Sequence, residues 1–124
     1  MKIIIDGYNL MYRLELDGSL EHKRDVMLEM LAEFLAVNPN EMLVVFDGRN
    51  NQSTLRGRQD KHGIKVYYSA QGETADDYIM EMIEKRTGKA KTHLIVTSDR
   101  KIADFAREHN MKTATSDEFV EYLE

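Results

Sequence analysis

The sequence predicts an α/β fold: one domain over residues 1–124, three layers, with a mainly parallel five-stranded sheet covered by helices on both faces. Three observations predict it. The runs Ile3–Ile5 and Met42–Phe46 are apolar without alternation, as in strands buried on both faces, and such strands belong to parallel sheets. Segments of helical period separate the strand-like runs, as crossover connections require. The 124 residues carry no repeat, low-complexity tract or linker, and a chain of that length can bury one core without staples.

The elements follow in order. Residues 2–6 form the first strand, an apolar run ending on Asp6. Ser19 is placed to cap a long helix to about Val37, in which Met27, Leu28, Leu31, Phe34 and Leu35 recur at helical period. Asn38-Pro39-Asn40 stops it, because proline cannot continue a helix and disfavours helix in the residue before it. Met42–Phe46 is the second strand and ends on Asp47-Gly48. Residues 49–63 are polar and irregular, with a short helix expected around 54–61. Ile64–Tyr68 alternates more, so it is expected nearer a sheet edge.

A helix over 73–86 follows, where Thr74 and Asp77 have the spacing of a capping box and Ala75, Ile79, Met82 and Ile83 form the inward stripe. Gly88 ends it. Residues 93–97 are the fourth strand, leading to Ser98-Asp99. A helix over 100–109, a short fifth strand over 111–114 and a last helix capped by Ser116 complete the chain.

Composition narrows the class. There is no cysteine, which excludes disulfides and thiolate metal sites. No apolar run is long enough to span a bilayer and the N-terminus lacks the regions of a signal peptide, so a cytoplasmic protein without membrane association is expected. The net charge of -5 argues against a protein that coats nucleic acid nonspecifically. It is compatible with a local basic strip beside an acidic pocket. The eight methionines fall mostly at core spacings. The four histidines show no ligand spacing and are expected mostly at the surface.

Three strands end on an acid: Asp6, Asp47 and Asp99. In a parallel sheet those ends share one edge, where sites of such folds lie. The helix after the third strand starts at the same edge and opens with Glu73, Asp76 and Asp77. Asp76 lines up with Ile79 and Ile83, so it should point over the sheet. At about 4 Å two like charges repel by roughly 4 kcal/mol at an effective dielectric of about 20. Such a cluster needs cations or protons. Oxygen donors without thiolate or imidazole favour Mg²⁺ or Mn²⁺, and paired ions suit phosphodiester hydrolysis.

Each acid also has an ordinary explanation. Asp99 or Ser98 suits a helix cap, and Asp76 and Asp77 complement a helix dipole. The convergence of four segments is what favours a site. Asp6 and Asp76 are the acids least easily explained as caps, because the chain after Asp6 does not go straight into a clear helix. The second feature is the strip Arg49, Arg56, Arg58, Lys61 and Lys65, opposed only by Asp60. It could grip a phosphate backbone or be a solvated loop. Arg100 and Lys101 stand beside Asp99, better placed to meet a scissile phosphate, and Tyr8 could stack on a base or pack on the sheet.

Four segments carry a resemblance: Ile-Ile-Asp6-Gly-Tyr-Asn9, Val-Val-Phe-Asp47-Gly, Glu73-Thr-Ala-Asp76-Asp77-Tyr-Ile and Val-Thr-Ser98-Asp99-Arg100. In this order they resemble the NYN domains of the PIN-like nucleases, and are most similar to the YacP-like group. The resemblance implies a Rossmann-like sheet in order 3-2-1-4-5, which would set Asp6 and Asp99 on one crevice. It also implies a Mg²⁺- or Mn²⁺-dependent ribonuclease with two ions. Asp6, Asp76 and Asp99 would be the principal ligands, Asp77, Glu73 and Asp47 would support them, and Asn9 and Ser98 would orient ligands or phosphate. The chain is shorter than is typical of the group, mostly in its C-terminal half, which leaves substrate choice open.

The expected function is therefore a metal-dependent endoribonuclease acting on RNA. A non-catalytic RNA- or protein-binding module, or the toxin of a toxin–antitoxin pair, are the alternatives. A ribosome, an antitoxin or a second copy of the chain are partners that the sequence leaves undetermined. Two other acidic α/β classes fit worse. A receiver domain wants paired acids after its first strand, where Gly7 follows Asp6, and a haloacid-dehalogenase-type phosphatase wants a second acid where Tyr8 stands.

Overall fold

Strand residues point alternately to the two faces of a sheet, and this chain uses both faces for core. In the computed structural model, which describes residues 1–48, 55–89 and 92–124, β1 (Lys2–Asp6), β2 (Glu41–Phe46), β3 (Gly57–Lys61), β4 (Ile64–Tyr68), β5 (His93–Val96) and β6 (Lys112–Ala114) form one sheet in the order β3-β4-β2-β1-β5-β6. All neighbours are parallel except β3 and β4. Ile3, Ile5, Met42, Val44 and Phe46 pack on one face with α1 (Gly7–Arg13), α2 (Leu20–Val37) and α5 (Ser116–Val120). Ile4, Leu43, Val45 and Ile95 pack on the other with α3 (Ala75–Arg86) and α4 (Arg100–Glu108).

The five expected strands are present, and their order among themselves is the expected one. The sixth strand, β3, is a correction. The short helix expected around 54–61 is replaced by an edge strand over its described part, and residues 49–54 lie outside the described residues. β3 pairs Lys61 with Ile64 through the two-residue turn His62-Gly63, both at positive φ (54° and 79°). Such a turn matches the right-handed twist of a hairpin. β3 therefore holds the edge and β4 lies inside it. Arg58, Asp60 and Lys61 on β3 are the kind of charged residues that discourage edge-to-edge association.

A second correction lies at the start. The chain enters α1 directly after β1, with Asp6 at the N-cap position. The sequence Gly-Tyr-Asn at its start has weak helix propensity, and burial of Leu10 and Met11 against the first core face overrides it. Gly7 is needed for close approach: a Cβ there would lie 2.5 Å from the Phe46 ring. The cap of α2 is Ser19, as expected, and that of α3 is Thr74 in a capping box with Asp77. In α5 the cap is Thr115, boxed with Glu118, and Ser116 is the first helical residue. His93 is buried at the start of β5, against the expectation for most histidines; His22 and His62 are exposed.

Candidate active site

Parallel order brings the C-terminal ends of β1, β2 and β5 to one edge, and the first turns of α1, α3 and α4 start there. A cleft of about 690 Å³ opens at this edge, lined by Asp6, Tyr8, Asn9, Tyr12, Leu20, Arg24, Asp47, Gly48, Tyr68, Ala75, Asp76 and Asp99. That volume is within the range of ligand sites, about 300–1,000 Å³. Four of the expected acids thus share one cleft, delivered by four segments.

Asp6 is its buried member. Burial pushes its carboxyl up to about 7, reinforced by the negative charges of Asp76 and then Asp99; the Thr97 hydroxyl and the Asn9 backbone pull it down. Thr97 Oγ1 donates to Asp6 Oδ2 at 3.2 Å and accepts the Asp99 backbone N–H at 3.1 Å. One buried hydroxyl therefore sets both acids. Asp99 also caps α4, its Oδ1 accepting the N–H groups of Lys101 and Ile102. Its carboxyl meets that of Asp76, whose own pKa is raised by burial first and by Asp99 next. The cap and the cleft readings of Asp99 are both true of one side chain.

The donors are hard oxygens, which fit Mg²⁺ or Mn²⁺, and the mutual repulsion of Asp6, Asp76 and Asp99 is what a cation would relieve. Among the described residues no three acids or histidines stand grouped to hold an ion as they are. The fit is thus one of donor chemistry and charge.

Other expected residues are placed differently. Glu73 precedes the α3 cap and lies outside the cleft lining. Both its oxygens accept from Arg56, at 3.0 and 2.6 Å, which holds its carboxyl below the usual range. Asp77 is exposed and accepts the Thr74 N–H within the capping box. Asn9 lines the cleft but acts as a brace, its Oδ1 accepting from the Ser98 backbone N–H at 2.9 Å and from the Ser116 hydroxyl. Ser98 Oγ accepts the Ser116 N–H at 3.1 Å. The two serines and Asn9 together tie α1, the end of β5 and α5. Arg100 and Lys101 are exposed at the start of α4, outside the cleft lining.

The basic strip is largely paired. Arg56 bridges Glu73 and Glu81 and stacks over Tyr78 at 3.9 Å, Arg58 meets Asp60, Lys61 meets Asp25 and Lys65 meets Glu41. Arg49 lies outside the described residues. Among the described residues, Arg24 is the basic side chain that lines the cleft, and Tyr8 Oη accepts from its Nη1 at 3.0 Å. The sequence reading passed over Arg24, Thr97, Tyr12 and Tyr68. Arg24 carried a signal: it interrupts the inward stripe of α2, four residues before Leu28. Gly48 closes the loop after β2 against β4. Its N–H donates to Ser69 Oγ at 2.8 Å, and a Cβ there would sit 2.0 Å from the Ser69 carbonyl oxygen.

A mostly parallel α/β/α sheet with an acid-lined cleft at its carboxyl edge is the build of a PIN-like, nuclease-type domain. The chain belongs to the YacP-like NYN domain family, whose profile matches residues 3–124. The family is nuclease-like and RNA-related. A curated relative, the protein YacP of Bacillus subtilis, is 28% identical over 102 residues, covering 78% of this chain and 59% of its own length. The chain thus spans about three-fifths of that relative. Two crystal structures of Rae1 (YacP) from Bacillus subtilis share the fold. The W164L mutant superposes with a TM-score of 0.78 at 23% identity over 98% of this chain and 74% of that one. The other gives 0.74 at 24% identity over 99% and 73%. Among the described residues no helix is long and apolar enough to cross a membrane.

Proposed function

We propose that this chain is a metal-dependent endoribonuclease that hydrolyses RNA phosphodiester bonds in the acid-lined cleft, in the cytoplasm. The observation that carries the reading is the convergence of Asp6, Asp76 and Asp99, with Asp47, on one cleft, where burial and mutual repulsion raise the Asp6 carboxyl to about 7. Asp6, Asp76 and Asp99 would hold Mg²⁺ or Mn²⁺, as a pair of ions, with Asp47 beside them. Bound ions of this kind supply an activated water and neutralise the leaving oxygen.

The chain's own groups do the positioning. Thr97 orients Asp6 and Asp99 together, and the Asn9–Ser98–Ser116 brace holds α1 against the end of β5. The N-terminal turns of α1, α3 and α4 face the cleft and favour negative charge there, both carboxylate and phosphate. Arg100 and Lys101 would meet the backbone leaving the cleft. Arg58 and Lys61 would contribute only where RNA displaces their exposed ion pairs, which are weak, while Arg56 is held by Glu73, Glu81 and the Tyr78 ring.

Incubation of labelled single-stranded and structured RNA with Mn²⁺ tests the reading. Wild type should cleave, and Asp6→Asn should lose cleavage while keeping its far-UV circular dichroism. Equal rates in the two proteins would sink it. A second reading is a module that binds RNA without cutting it. Stoichiometric binding with no cleavage across RNAs and metals would select that one.

A further inference from the structure

The cleft has two unlike walls. Its acids Asp76 and Asp99 come from α3 and α4, on one face of the sheet. The opposite wall comes from α1, α2 and the end of β4, on the other face, and it carries Tyr8, Tyr12, Leu20, Arg24 and Tyr68. Tyr8 and Tyr12 stack with centroids 6.3 Å apart at 27°. Tyr8 packs on Phe46 at 4.9 Å, and Phe46 stacks on Tyr68 at 5.6 Å and 27°. The series runs from the fully buried Phe46 out to Tyr12, which is 66% exposed, beside Leu20 at 46%. A core needs Phe46 and Tyr8. It gains nothing from a tyrosine left in solvent at the mouth of an acidic cleft.

We propose that this wall is a subsite for an unpaired nucleotide, the base stacking on Tyr12 and Tyr8 and the adjoining phosphate meeting Arg24. This rests on the ribonuclease reading and names its substrate class: single-stranded RNA rather than duplex. The ring series is anchored in the core, so the outer ring offers a pre-set face that a base can cover. Stacking is tolerant of sequence because every base has a π-face. Duplex RNA keeps its bases paired and stacked and is read by shape and backbone instead. Arg24 is held by its bond to Tyr8, and a guanidinium has five N–H donors. Those remaining are available, on a side chain that lines the cleft, to the phosphate of a stacked nucleotide.

The test uses Asp6→Asn protein with Mg²⁺, so that binding is read without cleavage, and a short fluorescent single-stranded RNA against the same RNA in duplex. Adding Tyr12→Ala or Arg24→Gln should weaken single-strand binding by roughly 5- to 100-fold, with melting temperature unchanged for the exposed Tyr12. Tyr12→Phe should bind as the parent. The chain has six tyrosines and no tryptophan, so quenching of tyrosine emission should report the same contact. Equal binding by Tyr12→Ala, tighter binding of duplex than of single strand, or no binding of either overturns the subsite. Cleavage by wild type is scored separately. Tyr12-dependent binding without cleavage keeps the subsite and rejects hydrolysis. Cleavage with no dependence on Tyr12 keeps hydrolysis and rejects the subsite.

Discussion

Asp6 holds two positions at once, the end of a buried strand and the N-cap of α1, and its side chain makes no cap hydrogen bond. It is turned instead toward Thr97 and the cleft, where ionisation is opposed. The folded value of about 7 stands above the usual 3.8, so between those values the native state binds a proton that the unfolded chain has released. Stability therefore falls as pH rises from about 4 to about 7, and the penalty is complete above that. Asp6→Asn removes it. In EDTA, the stability advantage of the variant over wild type should widen by about 3 kcal/mol between pH 5 and pH 8, as measured by urea unfolding. A constant difference across that range would contradict the burial argument. Asp6, Asp47, Asp76 and Asp99 were legible as a set because each ends a strand or opens a helix in the sequence itself. Thr97 and Arg24 were not, because a hydroxyl or a guanidinium acquires its role only from the partner that folding brings to it.

At the scale of elements, legibility followed the strength of local signals. Ser19 and the Thr74–Asp77 box announced α2 and α3 through capping chemistry. α1 was missed because Gly7-Tyr8-Asn9 carries no cap signal and little propensity. β3 was missed because its polar residues Arg58, Gln59, Asp60 and Lys61 face solvent at an edge, and only the His62-Gly63 turn marked the hairpin. The same hairpin changed the meaning of the basic strip, since strand pairing and packing bring Glu73, Glu81, Asp25 and Glu41 to it. α3 presents Asp76 from its second helical position, so the cap fixes the acid's aim. Thr74→Ala should cost about 1 kcal/mol of stability, read as a lower urea midpoint with an unchanged slope. An unchanged midpoint would show that packing of Ile79, Met82 and Ile83 holds the turn without the cap.

For the whole molecule the decisive property is that a stable core keeps four acids together at one edge. A ligand that binds the folded state alone stabilises it in proportion to RT ln(1 + [L]/Kd). If the cleft takes Mn²⁺, millimolar Mn²⁺ should raise the melting temperature of wild type by a few degrees, on the order of 4 °C per kcal/mol for a chain of this size. Asp6→Asn should respond less. Equal shifts in both proteins would place the ion elsewhere on this acidic surface. The two-walled cleft belongs to the same scale, because its acidic and aromatic sides come from helices on opposite faces of the sheet.

The resemblance to the NYN domains implied the order of the five main strands; by itself the sequence determined the fold class, most caps and the position of Asp6, Asp47, Asp76 and Asp99 at one sheet edge. These are written in local periodicity, in punctuation and in a topology that puts strand ends on one edge. Only the tertiary structure decided which charges are already paired, that Glu73 and Asp77 serve neighbours outside the cleft, and that Arg24, Tyr8, Tyr12 and Tyr68 face the acids across it. Those facts depend on distances between residues far apart in the chain, such as Thr97 with Asp6 or Arg56 with Glu81, and no local pattern encodes a distance.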